Sequence, residues 1–384
     1  MRTVALWVGL MALLAGSPAW ATYSFSGLGD LAGGSFNSRA SRVSADGSVV
    51  VGNGTSQHSS PDYEAFRWTQ GTGMVGLGAM PGSTATSQAH DLSADGSVVV
   101  GLSRKGGGHG AFRWTEASGM VDLGHLNGGT SGSARATGVS ADGSVVTGYD
   151  HYSSLRHAFR WTADGGMVAL EHLPGYSNSI PVDISDDGSI VLGVDKAGSD
   201  VVPNDTVAWQ AYLWSEATGI LGLGDLPGGI YRSVPGAGSA DMSVVVGLGY
   251  SASGEEAFRW TESGGMVGLG DLPGGDFGSG ASSVSGDGSI IVGFGTSTSG
   301  KEAFVWDEAN GMQVLAQVLS NQGIDISGWT LSSATGISAD GSTIVGYGIN
   351  PAGFQEAFIA TTPEPSTALL LGLGLVGLSA RRRV

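Results

Sequence analysis

Residues 43–52 read Val-Ser-Ala-Asp-Gly-Ser-Val-Val-Val-Gly, and residues 64–69 read Glu-Ala-Phe-Arg-Trp-Thr. Variants of the first string occur seven times, with central aspartates at Asp46, Asp95, Asp142, Asp187, Asp241, Asp287 and Asp340, spaced 45 to 54 positions apart. Variants of the second follow each one, starting at Ala65, Ala111, Ala158, Ala211, Ala257, Ala303 and Ala357. A unit of this length cannot bury its apolar face alone, so neighbouring units must stack. The repeat therefore decides architecture. Activity is a separate question, because function lives in sites grafted onto folds.

Each unit reads as four short strands. In the first, the small and apolar stretch 38–44 leads into the tight turn Asp46-Gly47 and then the β-branched run 48–52. A polar loop precedes residues 64–69, and a glycine-containing turn leads to Met74-Val75-Gly76-Leu77-Gly78. Short β-branched or aromatic runs bounded by Asp-Gly, Gly and Pro are strand signals. No sustained helical period appears between the two ends of the chain. Four strands per unit of roughly 40–50 residues is the propeller pattern. The predicted fold is all-β: a seven-bladed β-propeller with four antiparallel strands per blade. The alternative weighed against it is a stacked β-solenoid.

The chain's ends support a closed ring. The seventh unit stops before its fourth strand, whereas Tyr23 to Leu31 matches Met266 to Leu272. The N-terminal strand is thus expected to complete the last blade and remove an open edge. A solenoid has no use for such a strand. Placing it outermost makes the small-residue segment innermost. It also puts the Asp-Gly turns on one face and the variable loops on the other.

Flanking segments read as sorting signals. Met1-Arg2, an apolar run from Val4 to Leu14 and a small-x-small site at Ala19 and Ala21 form a helical signal peptide over 1–21. At the other end, Pro363-Glu364-Pro365 precedes an apolar run and then Arg381-Arg382-Arg383, so a tail helix with a cytoplasmic basic end is expected over 363–384. This tail resembles the PEP-CTERM sorting signal of Gram-negative, exopolysaccharide-producing bacteria. The resemblance implies processing by an exosortase-type enzyme, transient inner-membrane association, and delivery to the cell surface or matrix. Residues 22–362 remain as the propeller domain.

The repeat itself resembles the HAF-repeat extracellular proteins, and His157-Ala158-Phe159 spells the motif. That likeness spans residues 22–360 and implies export without implying a reaction. Departures are Tyr212-Leu213 for Phe-Arg, Met242 for the turn glycine, and Ala360 for Trp. A longer connection also runs from Ala316 to Thr330.

Composition limits the chemistry. There is no cysteine, hence no disulfide framework or thiolate chemistry. Setting aside Arg2 and the three tail arginines leaves 17 − 4 = 13 basic residues against 34 acidic ones, a mature charge of −21, or −20 without Glu364. No basic patch stands out, which argues against nucleic acid, and the overall charge disfavours anionic polymers. No metal or cofactor is expected. The recurrent Asp-Gly pairs read as hairpin turns, because a calcium loop needs several oxygen ligands in one turn. Trp68, Trp114, Trp161, Trp214, Trp260 and Trp306 read as packing residues. Arg67, Arg113, Arg160 and Arg259, on the opposite strand face, read as inter-blade bonding residues.

Candidate ligand-binding residues come from the irregular loops: His58, Tyr63, His109, Tyr149, His151, Tyr152, Arg156, Lys196, Asp205, Trp209, Tyr231 and Arg232. Loop variation on a fixed scaffold is how function is commonly carried. No catalytic residue is assigned. The expected function is an exported, monomeric surface or matrix protein, binding or structural, associated with exopolysaccharide, biofilm or surface proteins. The alternative is a propeller glycosidase or polysaccharide lyase, which requires carboxylates converging near the axis.

Overall fold

The computed structural model describes residues 23–59, 63–83, 86–126, 132–197 and 208–362. The expected signal peptide with Ala19 and Ala21, the tail with Pro363, Glu364, Pro365, Arg381, Arg382 and Arg383, and Asp205 lie outside these residues. Among the described residues there are 28 strands and one helix. No described helix is long and apolar enough to cross a membrane.

The first repeat shows how the sequence becomes sheet. Strands Gly33–Val43, Val49–Ser56, Glu64–Thr69 and Gly73–Gly76 pair in that order, each antiparallel to the next. The turn after Gly33–Val43 is built by its own side chains. The Asp46 carboxylate accepts from the Ser44 hydroxyl and from the Ser48 amide at 2.7 and 3.0 Å, which holds its pKa below the ordinary range. Gly47 takes φ +75°, where a side chain is strained. Met242 adopts φ +58° at the same place in the fifth repeat, tolerated because its side chain is buried in the core.

Strand alternation sorts the Ala-Phe-Arg-Trp string. Phe66, Phe112, Phe159, Tyr212, Phe258, Phe304 and Phe358 are fully buried. Trp260 is buried, and Trp68, Trp114, Trp161, Trp214 and Trp306 pack partly buried against the apolar clusters. On the opposite face, Arg67, Arg113 and Arg160 donate through Nε to the carbonyls of Gly96, Gly143 and Gly188. Each arginine thus reaches the Asp-Gly turn of the following repeat.

The sheets contain four, eight, twelve and four strands, rather than equal sets of four. Single parallel residue pairs fuse adjacent meanders: His109 with Ser133, Trp209 with Arg232, and Glu255 with Gly278. The connection after Val314 holds the helix Leu315–Asn321, with Leu315 and Leu319 buried against the last repeat. One i, i+4 apolar pair is too short a signal to separate from a loop in the sequence.

Strand Ser24–Gly27 pairs antiparallel with Gln355–Thr361, the last described strand. It repeats the bonds made inside other units. Leu28 N–H donates to the Ala357 carbonyl at 2.8 Å, as Leu77 does to Ala65 and Leu269 to Ala257. The Glu356 carboxylate accepts from Gly29 at 2.9 Å, as Glu64 does from Gly78 and Glu256 from Gly270. A side chain at Gly27 would collide with the Glu356 carboxylate, so glycine is required there. Phe25 packs edge-on to Trp329 at 5.1 Å and against Phe358 at 5.7 Å.

A second closure runs through the main chain around the axis. Ala45 N–H donates to the Ala94 carbonyl, Ala94 to Ala141, Ala141 to Asp186, Asp186 to Ala240, Ala240 to Gly286, Gly286 to Ala339, and Ala339 back to Ala45, at 2.9–3.1 Å.

A chain beginning at Gly33 loses Phe25, Leu28 and Leu31 from this seam. Each large apolar side chain contributes about 1.5–3 kcal/mol, against a net stability of roughly 5–15 kcal/mol. Thermal unfolding of that chain should occur far below that of one beginning at Thr22, or the shortened chain should aggregate. Equal melting temperatures would mean that the N-terminal strand does not seal the structure.

Candidate functional site

Every innermost strand breaks register just before its end, between Ala40 and Arg42, Ala89 and Asp91, Ala136 and Gly138, Pro181 and Asp183, Pro235 and Ala237, Ala281 and Ser283, and Ala334 and Gly336. A β-bulge bends its strand and re-aims a side chain. Small residues at most of these positions leave room along the axis. Arg42, Asp91 and Asp183 are the charged exceptions, and all three line an axial chamber of about 140 Å³. The chamber's floor is the circle of Asp-Gly turns.

Arg42 crosses this axis. Its Nη1 donates to the Thr335 carbonyl at 3.0 Å and its Nη2 to the Gly236 carbonyl at 3.3 Å. The Asp91 carboxylate accepts from the Val139 amide at 2.8 Å, and Asp183 accepts from the Gly238 and Ile184 amides at 3.0 and 2.8 Å. Both aspartates therefore clip one repeat to another. Burial, then the Asp183 charge, push Asp91 up to about 7, against the pull of Arg42 and the Val139 amide. Burial also raises Asp183, again opposed first by Arg42.

Above Arg42 the channel opens into a mouth of about 510 Å³, within the size range of small-molecule sites. Its wall includes Arg39, Arg42, His90, Arg135, Tyr149 and Tyr347. The Arg39 guanidinium lies 4.8 Å over the Tyr347 ring, with one Nη donating to Gln355 at 2.8 Å. Arg135 and Arg156 lie 5.9 and 5.4 Å over the Tyr149 ring. His90 Nδ1 is 2.7 Å from the Ala136 carbonyl. A carbonyl only accepts, so Nδ1 carries the proton. Burial and the charges of Arg135 and Arg42 lower the pKa of His90 and keep its ring neutral.

Of the twelve loop residues expected from the sequence, Asp205 lies outside the described residues and the other eleven do not form one cluster. Tyr149 alone among them lines the mouth. Nearby, Tyr152 stacks on His157 at 4.0 Å, His151 pairs with Arg156 across the strands, and His109 Nδ1 lies 3.2 Å from the Ser133 hydroxyl. Burial lowers the pKa of His109, with Arg135 and Arg104 acting in the same direction. A second group forms on the later repeats. Lys196 and Arg232 lie 5.2 and 5.3 Å over the Trp209 ring, Arg232 also 5.3 Å over Tyr250, and Tyr231 is exposed. His58 is exposed and Tyr63 half-buried in the first repeat's loop.

The axial residues Arg39, Arg42, His90, Asp91, Arg135, Asp183 and Tyr347 were missed by a reading that took the innermost strands as small-residue filler. The available signal was departure from that filler: two arginines in 38–44, and His-Asp in the equivalent stretch of the second repeat. Among the described residues no group of three or more His, Cys, Asp or Glu is placed to hold a metal ion.

Comparison with known proteins adds two findings. Residues 361–383 match the PEP-CTERM protein-sorting motif, a signal of exported proteins recognised by exosortase. No curated protein matches the chain in sequence. In structure the chain is similar to the oligogalacturonate lyase of Vibrio parahaemolyticus, at 12% identity and TM-score 0.54, covering 89% of this chain and 98% of that one. It is also similar to the β-propeller domain of the Trilobed protease from Pyrococcus furiosus, at 10% identity and TM-score 0.54, covering 90% and 99%. TolB from Acinetobacter baumannii matches at 12% identity and TM-score 0.47, and the chain spans 63% of that protein's length while 70% of its own is covered. At these identities the likeness concerns fold alone: the chain has a β-propeller fold. The Pyrococcus domain is described as having an open velcro topology, whereas here the first strand pairs with the last.

The raised value of Asp91 has a defined sign. Ionising it disfavours the folded state, a cost absent below the unfolded value of 3.8 and complete above about 7. Asp91→Asn keeps an acceptor for Val139 but cannot ionise. Its melting temperature relative to the native chain should therefore rise steadily from pH about 4 to about 8. Thermal melts across that range test this, and a constant difference would contradict it.

Proposed function

We propose that this chain is an exported seven-bladed β-propeller that acts as a ligand-binding protein of the cell surface or extracellular matrix, with its site in the axial mouth. The seven sequence repeats and the sevenfold circle of turn-to-turn hydrogen bonds support the blade count. In this reading the chain-fusing residue pairs are contacts between blades, and each blade keeps four strands. Residues 1–21 act as a signal peptide, 22–362 as the propeller, and 363–384 as a tail held briefly in the inner membrane of a Gram-negative cell before exosortase processing. The HAF-repeat likeness accords with export.

One observation carries the binding role: the 510 Å³ mouth, where charged and aromatic side chains replace the small residues of the axial wall. A structural spacer has no need of such a departure. The ligand expected from the sorting signal is exopolysaccharide or another matrix component. A second reading, hydrolysis or lyase cleavage of polysaccharide, draws on the axial pair Asp91 and Asp183. That pair is committed to backbone amides beneath Arg42, which favours binding without turnover.

Binding of the purified exported protein to isolated matrix and to a glycan panel tests the proposal. Tyr149→Ala and Tyr347→Ala should each weaken binding at least several-fold while the protein stays folded. Unchanged binding in both would move the site away from the axis. Release of reducing ends from matrix, abolished by Asp183→Asn, would replace the binding role with an enzymatic one.

A further inference from the structure

Resting on the axial mouth as the binding site, we infer that its ligand is a carboxylate-bearing sugar, a uronic acid presented as a chain end or branch. The mature chain holds about 2.5 acidic residues for each basic one. Arginines bonded to carbonyls or resting on rings are common in this chain, and what sets Arg39 and Arg135 apart is that both line one cavity. Arg39 and Arg135 form no ion pair among the described residues; the pairs present are Lys105–Asp122 and His125–Asp150. Arg39 bonds to a neutral amide and rests on Tyr347, and Arg135 rests on Tyr149. Two guanidiniums are thus directed into one cavity with their charge unspent. A guanidinium fork matches a carboxylate in a bidentate fashion.

His90 separates a sugar acid from a simple anion. His90 is neutral, with its proton on Nδ1 and committed to Ala136, so Nε2 is an acceptor with no partner among the described residues. An acceptor is of no use to a bare anion, but it suits a hydroxyl donor. Arginine donors, one imidazole acceptor and two tyrosine rings together match a ring that carries both a carboxylate and hydroxyls.

The channel limits the ligand's shape. Arg42 lies across the channel and lines both the mouth and the chamber below. The site is therefore a cup open at one end, and a polymer cannot thread it. The chain's strong net negative charge also repels a long polyanion lying over the surface, and a single acidic terminus or branch entering a cationic cup avoids most of that repulsion.

The test uses the purified exported protein and four probes: glucuronate, a short oligouronide, the matching neutral oligosaccharide, and inorganic phosphate. Calorimetric titration should show the uronide binding and the neutral sugar binding at least about tenfold more weakly. Arg39→Gln with Arg135→Gln should cost about ten- to a hundredfold for the uronide, remove most of its salt dependence, and leave the neutral sugar unaffected. Glucuronate binding as well as the oligouronide would identify a single terminal residue as the ligand, and preference for the oligouronide a longer chain end. Phosphate competing as strongly as glucuronate would overturn the sugar-acid assignment in favour of a general anion cup. Equal binding of neutral and acidic sugars, lost in Tyr149→Ala but not in the arginine variant, would overturn the charge argument and keep the axial site. No binding of any probe, with matrix binding insensitive to all these substitutions, would overturn both.

Discussion

Seven backbone amides at the Asp-Gly turns each donate to the carbonyl of the next turn, and the last returns to the first. The rest of the structure depends on this circle. It involves the residue between the serine and the aspartate of every repeat, so it needs no particular side chain at that place. What it needs is a turn of fixed shape, supplied by the Ser-x-Asp-Gly-Ser side-chain bonds. Local sequence therefore sets a long-range constraint, since each turn is made rigid by its own residues before it meets its neighbour. The conserved geometry also explains the arginines of the Phe-Arg-Trp strings, which grip the glycine carbonyl of the adjacent turn.

A circle closed at the turn face still leaves the outer edge open, and the N-terminal strand deals with that. Ser24–Gly27 enters the last sheet using the same leucine amide, glutamate and serine bonds that hold fourth strands elsewhere. Two closures at different radii hold the innermost strands rigidly around the axis. Rigid walls permit a few axial positions to carry charge without the fold collapsing around them. Arg42, Asp91 and Asp183 use that freedom to brace the channel, and Arg39 and Arg135 use it to face the mouth.

Much of the fold was legible because repetition multiplies weak signals. One Asp-Gly pair is an ordinary turn, but the same pair in six of the seven units fixes strand order, and the match of Tyr23–Leu31 to Met266–Leu272 locates the closing strand. The helix Leu315–Asn321 occurs once and left no comparable trace. The site was far less legible for the same reason. Repeat comparison draws attention to loops that vary in length, and residues such as Lys196 and Trp209 stand out there. Lys196 and Trp209 pair across neighbouring strands of one repeat, and Arg232 of the next repeat lies over the same ring. Axial residues sit inside strands of constant length, where a bulge decides which side chain points inward. A bulge has no sequence signature here, so the strings around Arg39 and Arg135 do not show which side chains face the axis.

Native-state amide hydrogen exchange at Ala45, Ala94, Ala141, Asp186, Ala240, Gly286 and Ala339 addresses the closed ring most directly. If the circle is continuous, all seven amides are slow and open together, at the free energy of global unfolding. Rapid exchange at Ala339, whose amide spans the seam between the last turn and the first, with slow exchange at the other six, would contradict closure and leave an open arc.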